Sequence, residues 1–129
     1  MKILIAEDDH ASRKLIYKFM SGFGECDITV DGSEAIEAFI LASEEKTPYD
    51  LICLDIMMPK IDGIKVLQSI RNFEKESGIN NPTKIILTTA LNDSNFVHGA
   101  FEGGCDAYAA KPLNTTKLKE VLKKLKLIE

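Results

Sequence analysis

Residues 2–9 read Lys2-Ile3-Leu4-Ile5-Ala6-Glu7-Asp8-Asp9, a short apolar run that stops on three acids. The pattern returns three times. Leu51–Leu54 stops at Asp55, Ile85–Leu87 stops at Thr88-Thr89, and Tyr108–Ala110 stops at Lys111, which Pro112 follows. Continuous apolar runs of this length, bounded by polar residues, are strands covered on both faces. In an open parallel sheet the strand ends along one edge open into a common crevice. The four runs therefore carry several carboxylates, a hydroxyl and an ammonium to one place. Carboxylates bind a hard cation through oxygen, and a hydroxyl and an ammonium can hold a phosphoryl group. The pattern points to phosphoryl transfer.

Between the runs the apolar spacing is helical. Ala11, Leu15, Ile16, Phe19 and Phe23 form one such pattern, which Gly22 and Gly24 end. Asp27–Val30 is a weaker second strand, closed by an Asp31-Gly32 turn. Ser33 can cap a helix carrying Ala35, Ile36, Phe39 and Ile40. Pro59 and Asp62-Gly63 form a loop before a third helix that begins with Ile64, Leu67 and Ile70, and the polar stretch Glu74–Asn81 is a loop. A short helix is expected around Ser94–Phe101, and Asn114 or Thr115 can cap a last one bearing Leu118, Val121, Leu122 and Leu125. Five strand–helix units imply an α/β fold, a parallel sheet with helices on both faces and right-handed crossovers.

The length of 129 residues suits one domain with a real core. Met1 leads straight into the first strand, no apolar run approaches a membrane span, and a cytoplasmic location is expected. The three cysteines, Cys26, Cys53 and Cys105, stand at no metal-ligand spacing, and Cys53 reads as a reduced core thiol. The net charge of −4 is unevenly placed: from Lys111 onward six lysines face two acids, +4, which leaves −8 on residues 1–110. The acidic body argues against general nucleic-acid affinity. The basic tail reads first as the solvated face of a helix.

Each candidate site residue is a weak signal alone. Asp9 is placed to cap the first helix, which leaves Glu7 and Asp8 as the better metal ligands, with Asp55 arriving from a neighbouring strand. Asp55 can act as a nucleophile toward phosphorus and form an aspartyl phosphate. Thr88, Thr89 and Lys111 gain meaning from sharing the same edge.

Taken together, Glu7-Asp8, Asp55-Ile56-Met57-Met58-Pro59 with Asp62-Gly63, Thr89-Ala90 and Lys111-Pro112 resemble the receiver domain of two-component response regulators, the CheY-like family, over essentially the whole chain. The resemblance implies a flavodoxin-like, doubly wound five-stranded parallel sheet of order 2-1-3-4-5 with five helices. It implies that Asp55 accepts phosphate from a phosphohistidine on a sensor histidine kinase or histidine-phosphotransfer protein. Mg²⁺ is then the cofactor, held by Asp8, Asp55 and the Met57 carbonyl, with Glu7 helping. Thr89 turns its hydroxyl onto the phosphoryl group, or Thr88 does if the register slips by one. Lys111 pairs with that group through a chain expected to be cis at Lys111–Pro112, and Tyr108 matches a switch aromatic.

The chain is thus expected to be a single-domain response regulator, a phosphoacceptor switch rather than an enzyme with a separate substrate. Its output is a downstream target protein or another histidine in a phosphorelay. The signalling surface is expected along Ser94–Phe101, Tyr108 and the last helix. Apolar Met57 and Leu91, two past Asp55 and Thr89, are expected to make the phosphorylated state persistent. A Mg²⁺-dependent phosphatase of the haloacid dehalogenase type wants a second aspartate where Met57 stands, and a flavodoxin-type cofactor binder wants Gly, Ser or Thr where the first loop has acids.

Overall fold

A computed structural model describes residues 1–90 and 104–129. Five parallel strands are β1 (Lys2–Ala6), β2 (Glu25–Thr29), β3 (Leu51–Asp55), β4 (Lys84–Ala90) and β5 (Ala107–Lys111). They lie in the order β2-β1-β3-β4-β5. The described helices are α1 (His10–Met20), α2 (Gly32–Glu44), α3 (Gly63–Glu76) and α4 (Thr115–Lys124). These are four of the five expected; Ser94–Phe101 lies outside the described residues. No described helix is long and apolar enough to cross a membrane.

Alternation along covered strands builds two cores from one sheet. Ile3, Ile5, Leu51, Cys53 and Ile86 face Ile16 and Met20 of α1 and Leu122 of α4. Leu4, Ala6, Ile52, Leu54, Ile85 and Leu87 face Phe39 of α2 and Val66, Leu67 and Ile70 of α3. Burying each such Ile or Leu contributes about 2 kcal/mol, which fixes the central strands rigidly. Cys53 is a buried free thiol, as expected of a core residue.

The helix starts follow from side-chain caps. Asp9 accepts from the Ser12 amide at 2.9 Å, Asp62 from Lys65 at 3.0 Å and Asn114 from Lys117 at 3.2 Å. Four boundaries differ from the sequence expectation. Asp31, not Ser33, caps α2, by accepting from the Glu34 amide at 2.9 Å. Helix α1 ends at Met20, before Gly22. Strand β2 begins at Glu25, because an edge strand pairs on one side only and leaves Ile28 44% exposed, so its apolar residues mark it poorly. Helix α3 runs on through Glu74, because that carboxylate is buried against Arg71 at 2.6 Å and the Thr83 amide at 2.8 Å.

Since all five strands run one way, the C-terminal ends of β1, β3, β4 and β5 share one edge. Glu7, Asp8, Asp55, Met57, Thr88, Thr89 and Lys111 stand at or just beyond that edge, and Tyr108 stands within β5.

Candidate functional site

Strand β1 delivers Glu7 and Asp8, and their two environments differ. Glu7 is fully buried, while Asp8 is exposed. The turn between them is tied down: the Glu7 amide donates to the Thr29 carbonyl at 3.1 Å, and the Asp9 amide donates to Glu7 Oε2 at 3.2 Å. Arg13, one turn into α1, donates to the Glu7 and Asp8 carbonyls, both at 3.2 Å. Arg13 drew no attention in the sequence. The available signal was a guanidinium one helical turn beyond a capping Asp, placed to reach back to the strand end.

Strand β3 delivers Asp55, which is 3% exposed. The Met57 amide donates to one carboxylate oxygen, Oδ1, at 3.2 Å, and the other, Oδ2, lies 3.4 Å from Lys111 Nζ. Behind it the chain turns sharply, with the Ile56 amide on the Thr88 carbonyl at 3.1 Å and the Gly63 amide on the Ile56 carbonyl at 2.8 Å. A Cβ at Gly63 would fall 2.4 Å from the Asp55 carbonyl oxygen, so only glycine lets α3 begin this close to the strand end.

Strand β4 places Thr88 level with Asp55 in the register and Thr89 one residue beyond, level with Ala110. Both threonines are buried. Thr89 Oγ1 donates to the Ala90 carbonyl at 3.1 Å, whereas Thr88 Oγ1 has no hydrogen-bond partner among the described residues. Strand β5 delivers Lys111, whose ammonium lies 2.9 Å from Glu7 Oε1. The Lys111–Pro112 bond is cis. Tyr108, on the same strand, is 45% exposed. Leu91 lies outside the described residues.

Glu7, Asp8 and Asp55 each offer a carboxylate oxygen, and the three atoms lie within 4.8 Å of one another. Burial, and then the neighbouring Glu7, raise the Asp55 carboxyl to about 8; Lys111 and the Met57 amide oppose the shift only in part. Burial alone would lower the Lys111 ammonium, but Glu7 and Asp55 outweigh it and hold it above its ordinary value. The three carboxylates thus exceed the cationic charge facing them. A small divalent ion taking oxygen ligands fits that excess and that spacing.

A family model, the response regulator receiver domain, matches residues 3–123. The chain belongs to that family. Over 95% of its length this receiver domain is 29% identical to the osmosensing histidine protein kinase SLN1 of Saccharomyces cerevisiae, of which it spans 10%. Over 92% of its length it is 35% identical to the transcriptional regulatory protein CiaR of Streptococcus pneumoniae, of which it spans 48%. The chain therefore covers less than half of either relative. Among solved structures, the receiver domain of the response regulator Ssk1, crystallised with the Saccharomyces cerevisiae histidine phosphotransfer signaling protein Ypd1, matches with a TM-score of 0.82 at 25% identity. That match covers 99% of this chain and 92% of that one. Chemotaxis protein CheY4 of Vibrio cholerae shares the fold, with a TM-score of 0.76 at 22% identity over 95% and 96% of the two chains.

Proposed function

We propose that Asp55 is the phosphoacceptor of this receiver domain and that its donor is a phosphohistidine on a histidine kinase or histidine-phosphotransfer protein. One observation carries this reading: Asp55 is a buried carboxylate with one oxygen held by the Met57 amide and the other facing Lys111, beside the acids Glu7 and Asp8. In the transfer, an Asp55 oxygen attacks phosphorus as the phosphorus–nitrogen bond breaks. The imidazole leaves with the electron pair and takes a proton. Asp8, Asp55 and the Met57 carbonyl, with Glu7 behind them, would hold Mg²⁺, which would supply charge neutralisation for the phosphoryl oxygens. Lys111 takes one phosphoryl oxygen by ion pairing, and Thr89 another through its hydroxyl.

The product replaces the single charge of the attacking carboxylate with the about −1.5 to −2 of a phosphoryl group, a net gain of about −0.5 to −1 beside Lys111. Drawing Thr89 and Lys111 inward biases the surface that carries Tyr108, and that surface meets a target protein or a second histidine domain. This is a switch that takes part in its own modification. The Ssk1 likeness supports a histidine-phosphotransfer protein as one class of partner.

The test is incubation with acetyl phosphate, with and without Mg²⁺, followed by intact-protein mass spectrometry. One phosphoryl group should be gained in Mg²⁺ and none in EDTA. Normal gain by Asp55→Asn would overturn the assignment.

A further inference from the structure

Helix α1 begins a few residues after β1 stops. The Arg13 amide donates to the Asp9 carbonyl at 2.9 Å, so Arg13 stands one turn into the helix. Helical side chains tilt toward the N-terminus, which aims a long one at this position back over the strand end. Its Nη1 donates to the Glu7 and Asp8 carbonyls, each at 3.2 Å, and its Nη2 lies 3.1 Å from His10 Nδ1. Those carbonyls belong to the two peptide groups that flank the Asp8 Cα. Each peptide group is planar, so holding both fixes the direction in which the Asp8 side chain leaves the backbone. Beyond Ala6 the sheet offers these oxygens nothing. The chain after β2 turns away at Asp31-Gly32, and among the described residues no backbone amide reaches either carbonyl. The Asp8 carboxylate itself is exposed and makes no hydrogen bond or ion pair among the described residues. Its place beside Asp55 is set through its backbone, and one guanidinium holds that backbone on both sides.

We propose that Arg13 is a positioning residue of the cation site: by gripping the two carbonyls that flank Asp8, it aims an otherwise unanchored carboxylate at the space beside Asp55. The inference rests on the reading of Glu7, Asp8 and Asp55 as ligands for a divalent cation. Charge and geometry act here in opposite senses, so the two can be told apart. As a point charge, a guanidinium beside the site repels a cation and weakens its binding. As a rigid fork, it removes in advance the freedom that Asp8 would lose on binding, and preorganisation of that kind strengthens binding. Lysine carries the same charge without the planar fork. The contact also explains why a cation tolerated so close to the site meets carbonyl oxygens and leaves all three carboxylates to other partners.

The test is calorimetric titration of the whole chain with Mg²⁺, with urea unfolding in EDTA run in parallel. Arg13→Met should bind Mg²⁺ about tenfold more weakly, the low end for groups that orient metal ligands, even though it removes a repelling charge. Arg13→Lys keeps the charge and the aliphatic stem, and about threefold weaker binding is expected of it. Lys14→Met removes an exposed, solvent-screened charge one residue away and should stay within about twofold of wild type. The Asp9 amide bonds to Glu7 Oε2 in the same turn, and in EDTA its hydrogen exchange should be severalfold faster in Arg13→Met. With acetyl phosphate, the Mg²⁺ concentration for half-maximal rate should rise about tenfold in Arg13→Met, and excess Mg²⁺ should restore the rate to within about twofold. Mg²⁺ affinity at or above that of wild type in both Arg13 variants would overturn the inference. Tighter binding would leave Arg13 only a repelling charge, and equal binding with lower stability in EDTA would leave it only a structural contact. Wild type that binds no Mg²⁺ would sink the cation site and this inference with it. Wild type that binds Mg²⁺ yet gains no phosphoryl group would sink the Asp55 reading alone.

Discussion

Lys111 Nζ lies 2.9 Å from Glu7 Oε1 and so reaches across the two strands that separate β5 from β1. Asp55 lies between them, 3.4 Å from the same ammonium. The lysine is thus shared between the two carboxylates and sits closer to Glu7. In the proposed switch a phosphoryl group on Asp55 draws it away from Glu7, and the Glu7–Lys111 pair is the resting position.

Lys111→Met should therefore destabilise the metal-free protein. It removes the cation facing two buried carboxylates, one of them fully buried. Breaking a wholly buried pair costs ~3–5 kcal/mol; here the lysine is 23% exposed, so about 2 kcal/mol is expected. Mg²⁺ should restore part of the loss by supplying positive charge to the same oxygens. Urea unfolding in EDTA and in Mg²⁺ measures both, and an unchanged midpoint in EDTA would contradict the electrostatic account.

Asp55→Asn should stabilise the metal-free protein. The folded state raises this carboxyl from 3.8 to about 8, so between those values it holds a proton that the unfolded chain has released. Stability then falls as pH rises through that window, and above it the whole penalty is present. Asparagine has no such slope and no charge beside Glu7. At neutral pH in EDTA a gain of about 1 kcal/mol, or a few degrees in Tm, is expected. Thermal melts of both proteins from pH 4 to 8 should diverge steadily, and parallel curves would refute the burial argument.

The strands β1, β3 and β4 were legible because both faces are covered and the apolar run is therefore continuous. The candidate site followed, since each run named its own terminal residue, and the structure brings Glu7, Asp8, Asp55 and Lys111 together. What escaped depended on contacts distant in sequence. Glu74 is a polar residue in a polar stretch, yet Arg71 and the Thr83 amide bury it and carry α3 through it. Arg71 also donates to the Thr83 and Gly104 carbonyls and pairs with Asp106 at 2.9 Å, tying α3 to the starts of β4 and β5. Nothing in local periodicity marks such a hub. Leu15 belongs to the apolar pattern read with Ile16 and Phe19 but falls on the flank of α1, where it is 37% exposed.

Gly63→Ala should damage fold and site together. Its Cβ would meet backbone, the Asp55 carbonyl oxygen at 2.4 Å and Ile56 Cα at 2.7 Å, and backbone there is fixed by the sheet. A loss of about 3 kcal/mol is expected. Any shift is passed directly to Asp55, and a 1 Å misplacement slows a positioned reaction ~100-fold. Gly78→Ala is the control: its φ is +66° and a Cβ there meets nothing within 4 Å, so about 1 kcal/mol of backbone strain is expected with normal phosphorylation. Acetyl phosphate kinetics on the two variants separate strain at the site from strain elsewhere.

The last prediction concerns the lifetime of the phosphorylated state. Hydrolysis of an aspartyl phosphate needs water in line with phosphorus, and the resemblance to the family places residues 57 and 91 beside that approach. Met57 is 58% exposed, so its side chain lies at the protein surface while its amide holds Asp55. Neither Met57 nor Leu91 has a group that orients or activates water. Long apolar side chains at both positions should shield the phosphoryl group and slow its loss. Met57→Asn and Leu91→Glu should each speed dephosphorylation severalfold, and the double variant by roughly tenfold, short of the ~100-fold of a fully positioned acid or base. Phosphate loss is followed in Mg²⁺ after the donor is removed, with metal affinity measured in parallel by titration. Unchanged or slower decay in the double variant at equal metal affinity would mean that water reaches phosphorus by another path.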